Sequence, residues 1–118
     1  MNKDNPLLSK SYDFALQIIQ LYKKLNKEKR EYILSKQLLR SGTSIGANIS
    51  EVNGAISKAD FSAKISISYK ESLETKYWLS LLKDSNYLNV DKANRLIENA
   101  DELSKIVFSI LKTTRIGK

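Results

Sequence analysis

Residues 93–111 read ANRLIENADELSKIVFSIL. Ala93, Leu96, Ile97, Ala100, Leu103, Val107, Ile110 and Leu111 recur at steps of three and four, with Ile106 and Phe108 the apolar residues outside the series. That spacing lays the apolar side chains in one stripe along a helix of 3.6 residues per turn. It is the cleanest periodicity in the chain. With Asn89 or Asp91 available as a cap, it predicts a helix over about 90–114.

Working back from this stretch, Ser57 followed by Asp60 has the spacing of a capping box, with aspartate in place of the usual glutamate. It predicts a third helix over about 57–86. Phe61, Ile65, Tyr69, Ser72 and Leu79 share one face, while Ala63, Ile67, Trp78 and Leu81 lie roughly opposite, with Glu71 and Glu74 among them. A helix in a small bundle buries one face, so the second apolar face predicts contact with another subunit. Leu34, Leu38, Ser41, Ile45, Asn48, Ile49 and Val52 mark a second helix over about 31–53, ended by Asn53-Gly54 with glycine in the left-handed C-terminal position. Gly42 and Gly46 each cost this helix about 1 kcal/mol relative to alanine. The small residues around them fit a close approach by another helix, and a break at Gly42 is the alternative reading. Phe14, Ala15, Ile18, Leu21, Tyr22 and Leu25 define a first helix over about 9–26, capped by Ser9 or Ser11.

The chain has 118 residues, enough for one domain over 1–118 and too few for two cores. Short connections force neighbouring helices to run antiparallel, so the expectation is all-α, an up-down-up-down four-helix bundle. Its core should contain Ile18, Leu25, Leu38, Ile45, Ile65, Leu79, Leu96, Leu103 and Ile110. No apolar run approaches the roughly 18 residues of a membrane span, and the opening MNKDNPLLSK has no apolar signal segment. A cytoplasmic location with no membrane partner is expected.

With no histidine and no cysteine, the commonest general base, the thiol nucleophile and the usual zinc ligands are missing. The serine–lysine spacings Ser80/Lys83 and Ser109/Lys112 lie in helices where they arise readily by chance. Glu71 and Glu74, with Glu51 near them, offer the carboxylates of a bundle metal site, but the histidine three residues after a glutamate that di-iron bundles use is absent. The favoured reading is ion-paired or hydrogen-bonded carboxylates where helices meet. No enzyme activity, metal or cofactor is expected.

The formal charge is +7. Residues 21–40 hold seven basic side chains and two acidic ones, 7 − 2 = +5, whereas residues 41–80 hold four of each. After Leu103 the charges are all basic: Lys105, Lys112, Arg115 and Lys118. The run Lys23, Lys24, Lys27, Lys29, Arg30, Lys36 and Arg40, with Tyr22 and Tyr32 beside it, has the composition of a surface for phosphates and bases. The plainer alternative is a solvated helix end whose lysines complement the dipole. No motif for sequence-specific readout accompanies it.

The blocks SIGANISE at 44–51, NGA at 53–55, KADF at 58–61 and KESLETKYWL at 70–79 occur in an order that resembles the four-helix-bundle proteins encoded in intervening sequences of bacterial 23S ribosomal RNA genes. The resemblance spans about residues 8–113. That family is similar to the accessory variability protein of diversity-generating retroelements, which implies a ring of five antiparallel bundles. The accessory proteins bind nucleic acid and a reverse transcriptase through basic surface, so RNA or DNA, a reverse transcriptase or another protein are the implied partners besides the chain itself. No catalytic residue carries over. The family's recurring Asn48, Glu51, Glu71, Glu74 and Trp78 are present and, with Ile67, are expected in structural or assembly roles. Val52 and Ile56 depart from the family pattern of smaller residues at the second connection. The expected function is non-catalytic, non-specific nucleic-acid binding by an oligomer. A protein-binding scaffold is the alternative.

Overall fold

A computed structural model describes residues 5–116. Among them are four α-helices: α1 (Pro6–Lys29), α2 (Leu34–Glu51), α3 (Lys58–Asp84) and α4 (Val90–Ile116), with a 3-10 turn at Val52–Gly54. Each helix packs against its sequence neighbours, and α4 closes back on α1 along a smaller seam. The long axis is 47 Å against 25 and 23 Å across, as expected for helices of about 40 Å laid side by side. No helix among the described residues is long and apolar enough to cross a membrane.

The helix ends differ from the sequence-based expectation for local reasons. α1 begins three residues before the expected position 9, because Asn5 Oδ1 accepts from Leu8 N at 3.1 Å and Pro6 sits in the first turn, where its missing N–H costs nothing. Ser11 is no cap: its hydroxyl donates back to Leu8 O at 3.0 Å and is buried. α1 also runs beyond 26 to Lys29, ending where Arg30 takes φ 53 and Glu31 N donates to Leu25 O at 3.1 Å. α2 starts at Leu34 and not 31, because Glu31 folds back over its first turn, accepting from Ile33 N, Leu34 N and Ser35 N at 3.0, 3.0 and 2.7 Å. Burial pushes the Glu31 carboxyl up, but these backbone donors outweigh it and hold it below the usual carboxylate range.

Gly54 is not left-handed. Among the described residues no glycine has positive φ, and α2 tightens into the 3-10 turn that Ala55 N closes on Val52 O at 3.0 Å. α3 opens as expected, with Ser57 Oγ accepting from Asp60 N at 3.0 Å, and Asp60 returns the contact one residue early, to Ile56 N at 3.1 Å. It stops at Asp84, two residues short of 86, and Asn86 turns the chain at φ 69. At α4, Asn89 Oδ1 accepts from Asp91 N and Lys92 N at 2.9 and 3.2 Å.

The core contains eight of the nine expected residues. Ile110 is only half-buried, and Val107 and Leu111 fill its place. α2 runs unbroken through Gly42. A Cβ on Gly42 would lie 3.0 Å from both Ile18 Cγ1 and Cγ2, and one on Gly46 would lie 3.2 Å from Ser11 Oγ. The glycines therefore set how closely α1 approaches α2, and dispersion between the two close-packed helices offsets their poor helix propensity. On the far side of α2 the spacers are hydroxyls. Thr75 donates to Ser41 Oγ at 3.0 Å, and Ser68 donates to Ile45 O at 3.0 Å. Between α3 and α4, Ser104 donates to Ser72 at 2.7 Å. Among the described residues every buried side-chain nitrogen or oxygen has a partner, so this seam carries no desolvation penalty from an unmade hydrogen bond.

Candidate nucleic-acid interface

In an antiparallel bundle the first and third connections share one end. Here that end joins residues 30–33 to residues 85–89. Lys23, Lys24, Lys27, Lys29, Arg30 and Lys36 are all exposed around it, and among the described residues none of them forms an ion pair. Tyr32 and Ile33 are exposed on the first connection, Tyr87 on the third and Val90 at the start of α4. The two sides meet across a groove of about 520 Å³, to which α1 contributes Lys24 and Lys29, and the α3–α4 side contributes Lys83, Tyr87 and Lys92. The charge pattern along the sequence locates only the α1–α2 half. A signal for the other half exists: once the topology is up-down-up-down, Lys83 and Lys92, which flank the third connection, must lie at the end that carries Lys29.

Arg40 belongs to a different arrangement. Its Nη1 lies 3.0 Å from Glu71 Oε2 and its Nη2 lies 2.6 Å from Glu74 Oε1, while Trp78 Nε1 donates to the same Glu74 oxygen at 3.1 Å. The Arg40 hydrogen bond, joined by that of Trp78, holds the Glu74 carboxyl below its ordinary range, and Glu74 in turn raises Arg40. This is the expected pairing of carboxylates where helices meet, made by a residue that charge density alone assigns to the basic run. Glu51 takes no part: it faces Lys64 at 3.4 Å, at the opposite end of the bundle. Lys83 Nζ donates to Asn94 Oδ1 at 3.4 Å. Ser109 and Lys112 are both exposed.

Of the residues expected in assembly, Ile67 is exposed on the outer face of α3, together with Leu73 and Tyr77. Trp78 is half-buried against its own core and meets the Tyr77 ring edge-on at 5.2 Å. Asn48 is held within α2, donating to Ser44 O at 2.9 Å. The side chains of Arg115 and Lys118 lie outside the described residues.

The protein of unknown function from the S23 ribosomal protein family of Bacteroides thetaiotaomicron VPI-5482, known from a crystal structure, is similar over its whole length: 46% identity, a TM-score of 0.90, and coverage of 95% of this chain and 100% of that one. No protein of curated function matches. The sequence profile of the 23S rRNA-intervening sequence proteins matches residues 3–109, and the chain belongs to that family.

Proposed function

We propose that this protein is a non-catalytic, self-associating module that binds RNA or DNA with little sequence preference, through the end of the bundle that carries Lys23, Lys24, Lys27, Lys29, Arg30 and Lys36. The observation that supports this reading is the absence of acidic partners for those six cations among the described residues. Releasing the counterions of phosphates is the favourable step open to such a surface, and it ignores base sequence. Arg40, held by Glu71 and Glu74, is left out of the proposed contact. The outer face of α3, where Ile67, Leu73 and Tyr77 are exposed, is the proposed surface for self-association, with five subunits in a ring. A ring would repeat the cationic end around its axis and raise affinity by avidity.

The test is oligonucleotide binding measured against salt, with sedimentation of the same samples. For every phosphate that is no longer neutralised, the slope of log affinity against log salt should flatten by about 0.7 to 0.9. The double variant Lys27→Glu/Arg30→Glu should weaken unrelated oligonucleotides by similar factors without changing the sedimenting species. Ile67→Glu should lower the oligomer while leaving the helix content intact. Binding that is undetectable at low salt, or that survives the reversal, would remove the nucleic-acid role and leave a protein scaffold. A monomer at micromolar concentration would remove the ring.

A further inference from the structure

We propose that the groove between α1 and the α3–α4 connection is a site for one nucleotide unit, with the base against Tyr87 and the apolar wall and the phosphate among Lys24, Lys29, Lys83 and Lys92. For a nucleotide within a strand the inference rests on the nucleic-acid reading above, and it adds the place and the form of strand that would be bound.

The volume of about 520 Å³ falls within the roughly 300–1,000 Å³ of small-ligand sites and is far more than a lone phosphate needs. Val90, 57% exposed, supplies apolar surface to the groove, and the core residues Leu21, Leu25 and Leu88 form the buried floor behind it, so that wall is rigid. Four amines stand around it against the single carboxylate of Glu28. The start of α4 is already occupied, since Asn89 Oδ1 takes the Asp91 and Lys92 N–H groups; attraction for an anion therefore comes from the lysines. Tyr87 is 38% exposed on the groove, and Asn86 and Asn89 flank it with side-chain amides able to meet a base edge.

These features select among anions. An inorganic ion would leave the exposed surface of Val90 and Tyr87 uncovered. A duplex keeps its bases stacked inward and presents phosphates, so it too would leave them bare. An unstacked nucleotide covers both, because every base has a face that stacks on an aromatic ring while its phosphate reaches the amines. The shared chemistry is a nucleoside monophosphate unit, whether free or within a single strand.

The test uses the isotope-labelled full chain titrated with AMP, with adenosine, with inorganic phosphate and with polyglutamate, followed by a fluorescent single strand and its duplex against Tyr87→Ala, Tyr87→Phe and Lys83→Ala/Lys92→Ala. AMP should shift the amides of residues 86–90 saturably, and adenosine or phosphate alone should do so much more weakly. Tyr87→Ala should weaken the single strand about 5-fold or more, the loss expected for one stacked base, with the duplex unchanged and Tyr87→Phe close to wild type. The lysine double variant should weaken AMP and single strand together. If AMP leaves residues 86–90 unmoved and Tyr87→Ala leaves the single strand unchanged while Lys27→Glu/Arg30→Glu still weakens it, the groove proposal falls and the nucleic-acid reading stands. If AMP fills the groove but no strand binds at low salt, the site takes free nucleotide and the nucleic-acid reading falls. Polyglutamate moving the same amides as strongly as AMP would show that the groove reads charge alone, and would overturn the assignment.

Discussion

The two ends of the bundle are made of the same residue types but differ in how much of their charge is paired. At the end formed by the α2–α3 connection, Lys64 sits 3.4 Å from Glu51 and 3.8 Å from Asp60, and Asp60 also shares the capping contacts of Ser57 and Ile56. Lys64 is matched there within the chain, although Lys58 and Lys112, exposed at the same end, form no ion pair among the described residues. The apolar outlier of that end, Ile56, is 92% exposed. At the other end the lysines have no acidic partners among the described residues, while the backbone beneath them is tied down by Glu31, by the turn at Asn86 and by the Asn89 cap. Leu88 is packed into the core there, only 7% exposed. A charge matched inside the chain contributes to its own fold, whereas charges left over on a fixed backbone are available to something else.

The largest expected effect tests whether the cationic end is the more firmly built. Leu88→Ala should cost about 2 to 3 kcal/mol, the lower part of the range for a buried leucine, because the site lies at the rim of the core. Ile56→Ala, with almost nothing to lose, should stay within about 0.5 kcal/mol of wild type. Chemical denaturation of the two variants measures the difference. Equal losses would show that the α2–α3 connection is as well packed as the other.

The next effect compares the two helix caps. Glu31→Gln keeps the shape but removes the charge that three backbone N–H groups share, and should cost about 1 to 2 kcal/mol near neutral pH. The Glu31 carboxyl is depressed in the folded protein, so its contribution is fully present above the unfolded value of about 4.3 and is lost as pH falls through the lower folded value. The gap between wild type and Glu31→Gln should therefore close in acid. Ser57→Ala, at the opposite end, removes a hydroxyl that does not titrate, and should cost about 1 kcal/mol at either pH. A Glu31→Gln gap that persists in acid would mean the carboxylate is not what fixes α2.

Much of this architecture is legible in the sequence because helical period reports burial directly: the stripe from Ala93 to Leu111 reads as it folds, save that Ile97 and Ile110 are only partly buried. Period says little about ends. Glu31 reads as the first residue of the second helix, whereas it caps that helix from two to four positions upstream, and Arg30 gives no warning of left-handed backbone because that signal is usually glycine. The candidate site is half legible for a related reason. Charge density along the chain finds Lys23 to Lys36, but it includes Arg40, whose partners Glu71 and Glu74 are over thirty positions away, and it misses Lys83, Tyr87 and Lys92. Pairing across helices is a property of register, which a single helix's pattern does not encode.

The smallest effect is the most direct test of matched against unmatched charge. Lys64→Met keeps most of the side chain's length and its helix propensity but leaves Glu51 and Asp60 without their cation, so it should cost up to about 1 kcal/mol, as partly exposed ion pairs do. Lys23→Met removes a cation that has no acidic partner among the described residues and faces Lys27 one turn on. Relief of that like-charge pair should leave stability unchanged or raise it by about 0.2 to 0.5 kcal/mol. Lys23 is six residues from the end of α1, outside the last turn, so the helix dipole does not mask the comparison. Both differences should shrink in 1 M salt, where the screening length falls to about 3 Å. Denaturation midpoints at low and high salt measure the contrast: a Lys23→Met variant that loses as much as Lys64→Met would mean that the lysines of the cationic end are already matched within the fold, and the division between the two ends would disappear.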